Sequence, residues 1–268
     1  MVGIKFKDLQ LEVMIDSDSG QIYGIKFEDR EFMHPGAVES VPGWPNSELV
    51  AFPFFGPADK HQVVWNNEVY PLDQHGISRV LPWEIIFNAD KGVTLKQGYD
   101  GSEVPNPKSG KNHPKSMKWM PFELEKRLMM DCYALNLYFN IKNTGDEIMP
   151  FNLGWHPAFR TEGEGDLGKL YVEGSEDPIA SVRDVLQGGP IIIDTSRILY
   201  RGDSQGIDFR MDGFEAAVLW TPHEGMICIE PVLKRPVVNG AYFSEGEFDT
   251  VAPNQTRRYK LSIRPFVF

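Results

Sequence analysis

At 268 residues with a formal net charge of −11, the chain is long enough for one large core and too acidic, without clustered Lys and Arg, to grip nucleic acid or an anionic membrane. Hydrophobic residues at 41% and charged residues at 24% describe a globular protein, and no apolar run approaches the roughly 20 residues that cross a bilayer. A neutral small molecule is the partner these figures favour. Cys132 and Cys228 are the only cysteines; their separation gives neither a disulfide framework nor a metal-ligand spacing, and both read as buried thiols. The opening MVGIKFKDLQLEVMI has no basic segment followed by an apolar stretch and a cleavage site, so the expected compartment is the cytoplasm.

Taken in chain order, the elements are nearly all strand. KFKDLQLEVMI alternates apolar and polar residues, and QIYGIKFEDREFM follows it. HQVVW and EVYPL flank Asn66-Asn67, a hairpin signature, and WEIIFNADKGVTLKQGY repeats the pattern around Asp90-Lys91-Gly92. MPFELEKRLMMDCYALNLYFNIKNTGDEIMPFNLGW predicts long strands with a turn at Asn143-Thr144-Gly145. Further strands are predicted at KLYVEG, EAAVLW, MICIEPV and RRYKLSIRPF. No window shows a capped apolar stripe of helical period, so any helices are expected to be short. The 20 Pro and 25 Gly are spread as turn signals, and no Ser/Gly-rich linker divides the chain. The prediction is therefore an all-β protein with residues 1–268 in one domain. Two polar loops, Gly98–Lys118 and Thr161–Lys169, are candidates to border a cleft.

Three stretches set a titratable group among apolar or tightly turning residues. In DQHGISR, His75 precedes a Gly and Arg79 follows four residues later; a turn histidine bonded to backbone is the plain alternative to a functional one. In FNLGWHPAF, His156 sits between Trp155 and Pro157, either as a core histidine or as a positioned ring. In MICIEPV, Glu230 interrupts an apolar strand. Alternation lets it face water on the side of Cys228, whereas Pro231 is expected to end the ladder and leave Glu230 at a strand end, where sites are built. His34 and His113 precede prolines, His61 opens a strand and His223 lies in TPHEG; each reads as a plain surface residue. No HExxH, GxSxG, P-loop or GxGxxG is present, so no metal and no nucleotide cofactor is expected.

In this order and spacing, FPFFGPA (Phe52 to Ala58), QHGISR, NLGWHPAF, CIEPV and the closing VAPNQTRRYKLSI resemble the landmarks of the aldose 1-epimerase (galactose mutarotase-like) family, especially its LacX-like bacterial branch. The resemblance covers the chain from about residue 10 to the end. It implies a β-supersandwich with a sugar in an open cleft across one sheet face. It also implies His156 as general acid toward the ring oxygen, Glu230 as general base on the anomeric hydroxyl, and His75 as an assisting hydrogen-bonding group. Arg79 matches an Arg that contacts phosphate in the branch acting on sugar phosphates. Two departures stand out. Gly56-Pro57-Ala58 replaces an Arg that usually follows the FPF-like segment, leaving that contact absent or supplied by Lys60, and Asp203 is the best placement for the substrate-binding Asp.

The chemistry suits these residue types. Exchange of α and β anomers removes a proton from the C1 hydroxyl while the ring oxygen gains one, and neither metal nor nucleotide is required. The expectation is an ionised Glu230 and a protonated His156, with Trp155, Phe159 and Trp83 as candidates for a stacking face. The competing readings are a catalytically silent carbohydrate-binding protein and a hexose-6-phosphate 1-epimerase. A glycosidase is disfavoured because only one carboxylate stands out.

Overall fold

A computed structural model describes residues 3–8, 10–35, 47–110, 112–131, 133–162, 168–237, 243 and 247–268. The chain opens with an antiparallel meander of four strands, Gly3–Asp8, Leu11–Asp16, Ile22–Phe27 and Arg30–Glu31. A nine-stranded sheet follows the order Ala180–Ser181, Lys169–Val172, Arg197–Arg201, Gln205–Asp212, Thr256–Val267, Ala134–Asn143, Phe122–Asp131, Gly92–Tyr99, Glu84–Ala89. A five-stranded sheet runs Ile191–Asp194, Ala216–Trp220, Met226–Val232, Gly154–Arg160, Glu48–Ala51.

The expected hairpins form. Asn66 and Asn67 take φ of 49° and 64°, joining Gln62–Trp65 to Glu68–Pro71, because consecutive left-handed residues give a two-residue turn the twist its strands need. The α-helix among the described residues, Val182–Gly188, is short and opens on a capping box between Ser181 and Asp184. No helix is long and apolar enough to cross a membrane among the described residues.

Two long neighbouring strands of the large sheet, Phe122–Asp131 and Ala134–Asn143, largely alternate. Phe122, Leu124, Leu128 and Met130 are buried with Leu135, Leu137, Phe139 and Ile141, and most residues between them are half-buried or exposed, Asn136 excepted. The five-stranded sheet is different: Met226–Val232 is buried at every position, as is Gly154–Phe159. A sheet covered on both faces loses the polar half of the alternation. One face carries Trp155, Phe159, Ile227 and Ile229 into the main core. The other carries Ala158, Cys228, Val218 and Val232 into a smaller cluster with Phe55. Cys228 is buried as expected, and Cys132 lies outside the described residues.

Lys126 projects inward from the large sheet with its side chain 1% exposed. Its Nζ donates to Glu48 Oε1 and to the Gly20 carbonyl, each at 2.6 Å. Removing one member of a buried ion pair leaves a bare charge and costs about 3–5 kcal/mol. Lys126→Met should therefore lower unfolding free energy by about that amount in urea titrations; a loss below about 1 kcal/mol would show that Glu48 is solvated in the native state.

Candidate active site

The site is assembled from two neighbouring strands and one strained turn. In the register between Gly154–Arg160 and Met226–Val232, Gly154 pairs with Val232 and Ala158 with Cys228. That register puts His156 opposite Glu230, and their side chains meet with Nε2 3.4 Å from Oε1. Between those flanking pairs the ladder lapses. Pro157 and Pro231 each follow one of the two residues and have no N–H to donate. Pro231 does not end its strand, contrary to the sequence expectation: it pairs with Ala217, and Glu230 pairs with Val218. Glu230 therefore sits mid-sheet.

His75 reaches the pair from a separate segment, ahead of the 3₁₀ turn Ser78–Val80. Its φ is +65° and that of Gly76 is +71°, so the chain turns through two left-handed residues. The turn packs against Phe52–Pro53: Phe52 N–H donates to His75 O at 3.2 Å and Ile77 N–H donates to Phe52 O at 2.8 Å. A Cβ on Gly76 would lie 2.2 Å from the Phe52 carbonyl oxygen, which explains the Gly after the histidine. Gly56 N–H donates to His75 Nδ1 at 3.2 Å. Nδ1 thus acts as acceptor, so the neutral ring carries its proton on Nε2, which lies 3.3 Å from the Gln74 side-chain amide.

The His75 and His156 rings meet edge to face with centroids 5.4 Å apart, and Phe55 lies 4.9 Å from one and 5.9 Å from the other. Trp220 closes the remaining side of His156 at 5.7 Å. Phe55 fits because residue 154 is Gly; a Cβ there would lie 2.2 Å from its ring. Sequence reasoning passed over Phe55 and Trp220 as site residues. Phe55 lies within the FPFFGPA segment, but its direction depends on Gly154, about a hundred residues away.

Burial governs the electrostatics. His156 is 5% exposed and Glu230 2%. Burial, followed by the charge of Arg79, lowers the His156 imidazole to about 3. Burial pushes the Glu230 carboxyl well above its ordinary range. His75 is held well below 6.5 by burial and then by the positive charge of its neighbours. The resting pair is therefore a neutral imidazole beside a neutral carboxyl, a correction to the expected charged pair: removing both groups from water outweighs their mutual attraction. The charged arrangement differs from the neutral one only by a proton moved across the 3.4 Å contact.

Arg79 is partly buried near the two histidines and donates to Gln74 O at 3.2 Å. Lys108, from the long loop, is lowered by burial and then by the charge of Arg79, and both cations add to the depression of His75. The other predicted binding residues go elsewhere. Trp155 and Phe159 are fully buried in the main core, packed on Phe209. Period-two alternation turns them to the face opposite His156. Trp83 packs beside Lys126, 5.3 Å from its Nζ. Asp203 is exposed in the turn between Arg197–Arg201 and Gln205–Asp212, and among the described residues no contact joins it to the histidines or Glu230. Lys60 is exposed to solvent.

Among the described residues, two groups of side chains have the donor types and spacing to hold a metal ion. One is His156 with Cys228 and Glu230, in which burial holds the Cys228 thiol protonated. The other is His61 with Asp73 and His113. The last two histidines, expected as separate surface residues, lie with ring centroids 4.6 Å apart.

No protein-family model matches this chain, and no curated protein sequence matches it. Its structure, however, superposes on solved structures over nearly its full length. A galactose mutarotase related enzyme from Lactobacillus acidophilus gives a TM-score of 0.80 at 18% identity, covering 99% of this chain and 97% of that one. A galactose mutarotase-like protein from Lactobacillus casei gives 0.80 at 18% identity, covering 99% and 100%. A galactose 1-epimerase from Lactobacillus acidophilus gives 0.68 at 12% identity, covering 99% and 94%. The chain has the galactose mutarotase-like fold.

The buried carboxyl has a measurable cost. Folded Glu230 keeps its proton above pH about 4.5, where the unfolded chain loses it; the stability tied to that group is full below this pH and declines as pH rises toward the folded value. Glu230→Gln should therefore raise the Tm more near pH 8 than near pH 5. An equal shift at both would mean that Glu230 is ionised in the native protein.

Proposed function

We propose that the protein is an aldose 1-epimerase, interconverting the α and β anomers of an aldose by general acid–base catalysis. The observation that carries this reading is the His156–Glu230 pair: an imidazole and a carboxyl on adjacent strands, 3.4 Å apart, walled by Phe55, Trp220 and His75. Sugar hydroxyls hydrogen-bonded to the pair offset its burial and let the proton pass from Glu230 to His156. Glu230 then takes the C1 hydroxyl proton as His156 protonates the ring oxygen. The C1–O5 bond breaks, the free aldehyde rotates about C1–C2, and closure on the other face returns both protons. His75 offers Nε2–H to a sugar oxygen. No step consumes a co-reactant.

A positioned acid or base contributes about 10²–10⁴ in rate. Polarimetry on freshly dissolved α-D-glucose, α-D-galactose and their 6-phosphates should show acceleration by the wild type, with kcat lower by that factor in Glu230→Gln and in His156→Ala. Variants as fast as the wild type would overturn the roles, and no acceleration of any sugar would favour a silent binding protein. The resting and active pairs hold the same number of protons, so the rate should run level through pH 6.5, where an exposed imidazole would titrate. A break there would contradict the shared proton.

Arg79 and Lys108 favour a second reading, a sugar bearing an anionic group such as a hexose 6-phosphate. Under that reading Arg79→Ala should raise KM for the 6-phosphate at least about tenfold, a loss of about 1.4 kcal/mol, and leave KM for the free sugar nearly unchanged. Equal effects on both would remove it.

A further inference from the structure

The His61–Asp73–His113 group belongs to none of the chemistry above. Its members come from three separate segments: the 3₁₀ turn Asp59–His61, the residue two before His75, and the loop Gly98–Lys118. His61 Nδ1 lies 3.3 Å from Asp73 Oδ1 and His113 Nδ1 lies 2.8 Å from Asp73 Oδ2. All three donor atoms fall within 4.8 Å of one another.

We propose that these three side chains form a site for a divalent transition metal ion, zinc by the chemistry of the donors. Two imidazoles and one carboxylate are a donor set that zinc takes readily. Zinc–ligand bonds of about 2.0–2.2 Å at tetrahedral angles place ligand atoms roughly 3.3–3.5 Å apart. The spacing of His61 Nδ1 to Oδ1 already has that value, while His113 Nδ1 lies against the other oxygen, Oδ2, so a small shift of its ring or of the carboxylate brings one donor from each residue onto a single ion. Asp73 is buried at 3% exposure, and its two oxygens are oriented by a second layer: Gln74 N–H donates to Oδ1 at 2.7 Å and Asn106 Nδ2 to Oδ2 at 2.9 Å. Ligating carboxylates are commonly held in this way. The two imidazoles are about one-third exposed, so the ion enters from solvent and water completes its coordination. His61 and Lys60 both sit at positive φ, 55° and 49°; this uncommon backbone turns the ring toward Asp73.

The ion has a structural task. Joining His113 to His61 and Asp73 staples the long loop, with Lys108, to the segment that continues through Gln74 to His75. One wall of the candidate active site is fixed by it. The inference stands apart from the catalytic reading, since it concerns binding and order and not turnover.

The test is calorimetric titration of ZnCl2 into the full-length, chelator-stripped protein, with Co²⁺ as a spectroscopic probe of coordination. One equivalent should bind, Co²⁺ should give the intense visible bands of a tetrahedral site, and ZnCl2 should raise the Tm and slow proteolytic cutting within residues 98–118. Loss of a second-layer group alone typically lowers metal affinity 10–100-fold. The double variant His61→Gln/His113→Gln, polar at both positions, should therefore bind more than about 100-fold more weakly while keeping its β-sheet circular dichroism. Wild-type protein that binds no zinc would overturn the proposal, leaving the two imidazoles as hydrogen-bond donors to Asp73. So would equal binding by the double variant, and binding abolished by Cys228→Ser would move the ion to the other donor group.

Discussion

The carboxylate of Glu48 is the point at which the separate layers of this protein are tied together. It is fully buried, and it accepts from Lys126 of the nine-stranded sheet, from Ile22 N–H of the N-terminal meander and from the indole N–H of Trp155. Glu48 itself belongs to the five-stranded sheet, where it pairs with Pro157. Without those donors the charge would be too costly to bury; with them, one side chain fixes how the sheets face each other. It also sets the site. Anchoring Trp155 on the core face commits the next residue, His156, to the other face by the alternation of a strand.

The same sheet explains how an imidazole and a carboxyl come to be buried together. Both faces are covered, so a polar residue on either has no water to turn to. His156 and Glu230 face one another across the strands, beside two prolines that interrupt the ladder. Phe55 and Trp220 complete the enclosure. The pair rests neutral because burial penalises both charges, and the charged form is a single proton transfer away. Keeping two titratable groups in a core costs stability.

The all-β character, the hairpin at Asn66-Asn67 and the shortness of any helix were legible in residue patterns, since local alternation and turn chemistry specify them. The stretches holding His75, His156 and Glu230 also announced themselves, because each puts a titratable group among residues that restrict it. Charge state was not legible. It depends on how completely Phe55, Trp220 and the second sheet face exclude water. Trp155 and Phe159 were misassigned although the signal was present: period two turns them away from any site that includes His156. The meeting of His61 with His113 has no local signature, since it depends on how a long loop folds back onto Asp73.

The shared proton of His156 and Glu230 is the centre of this account, and imidazole ¹⁵N NMR reads it directly. In the sugar-free protein at neutral pH, the His156 nitrogens should show the split shifts of one protonated and one bare nitrogen, moving toward the paired shifts of an imidazolium when a substrate sugar binds. An imidazolium in the free protein, or a His156 titration centred near 6.5, would contradict it.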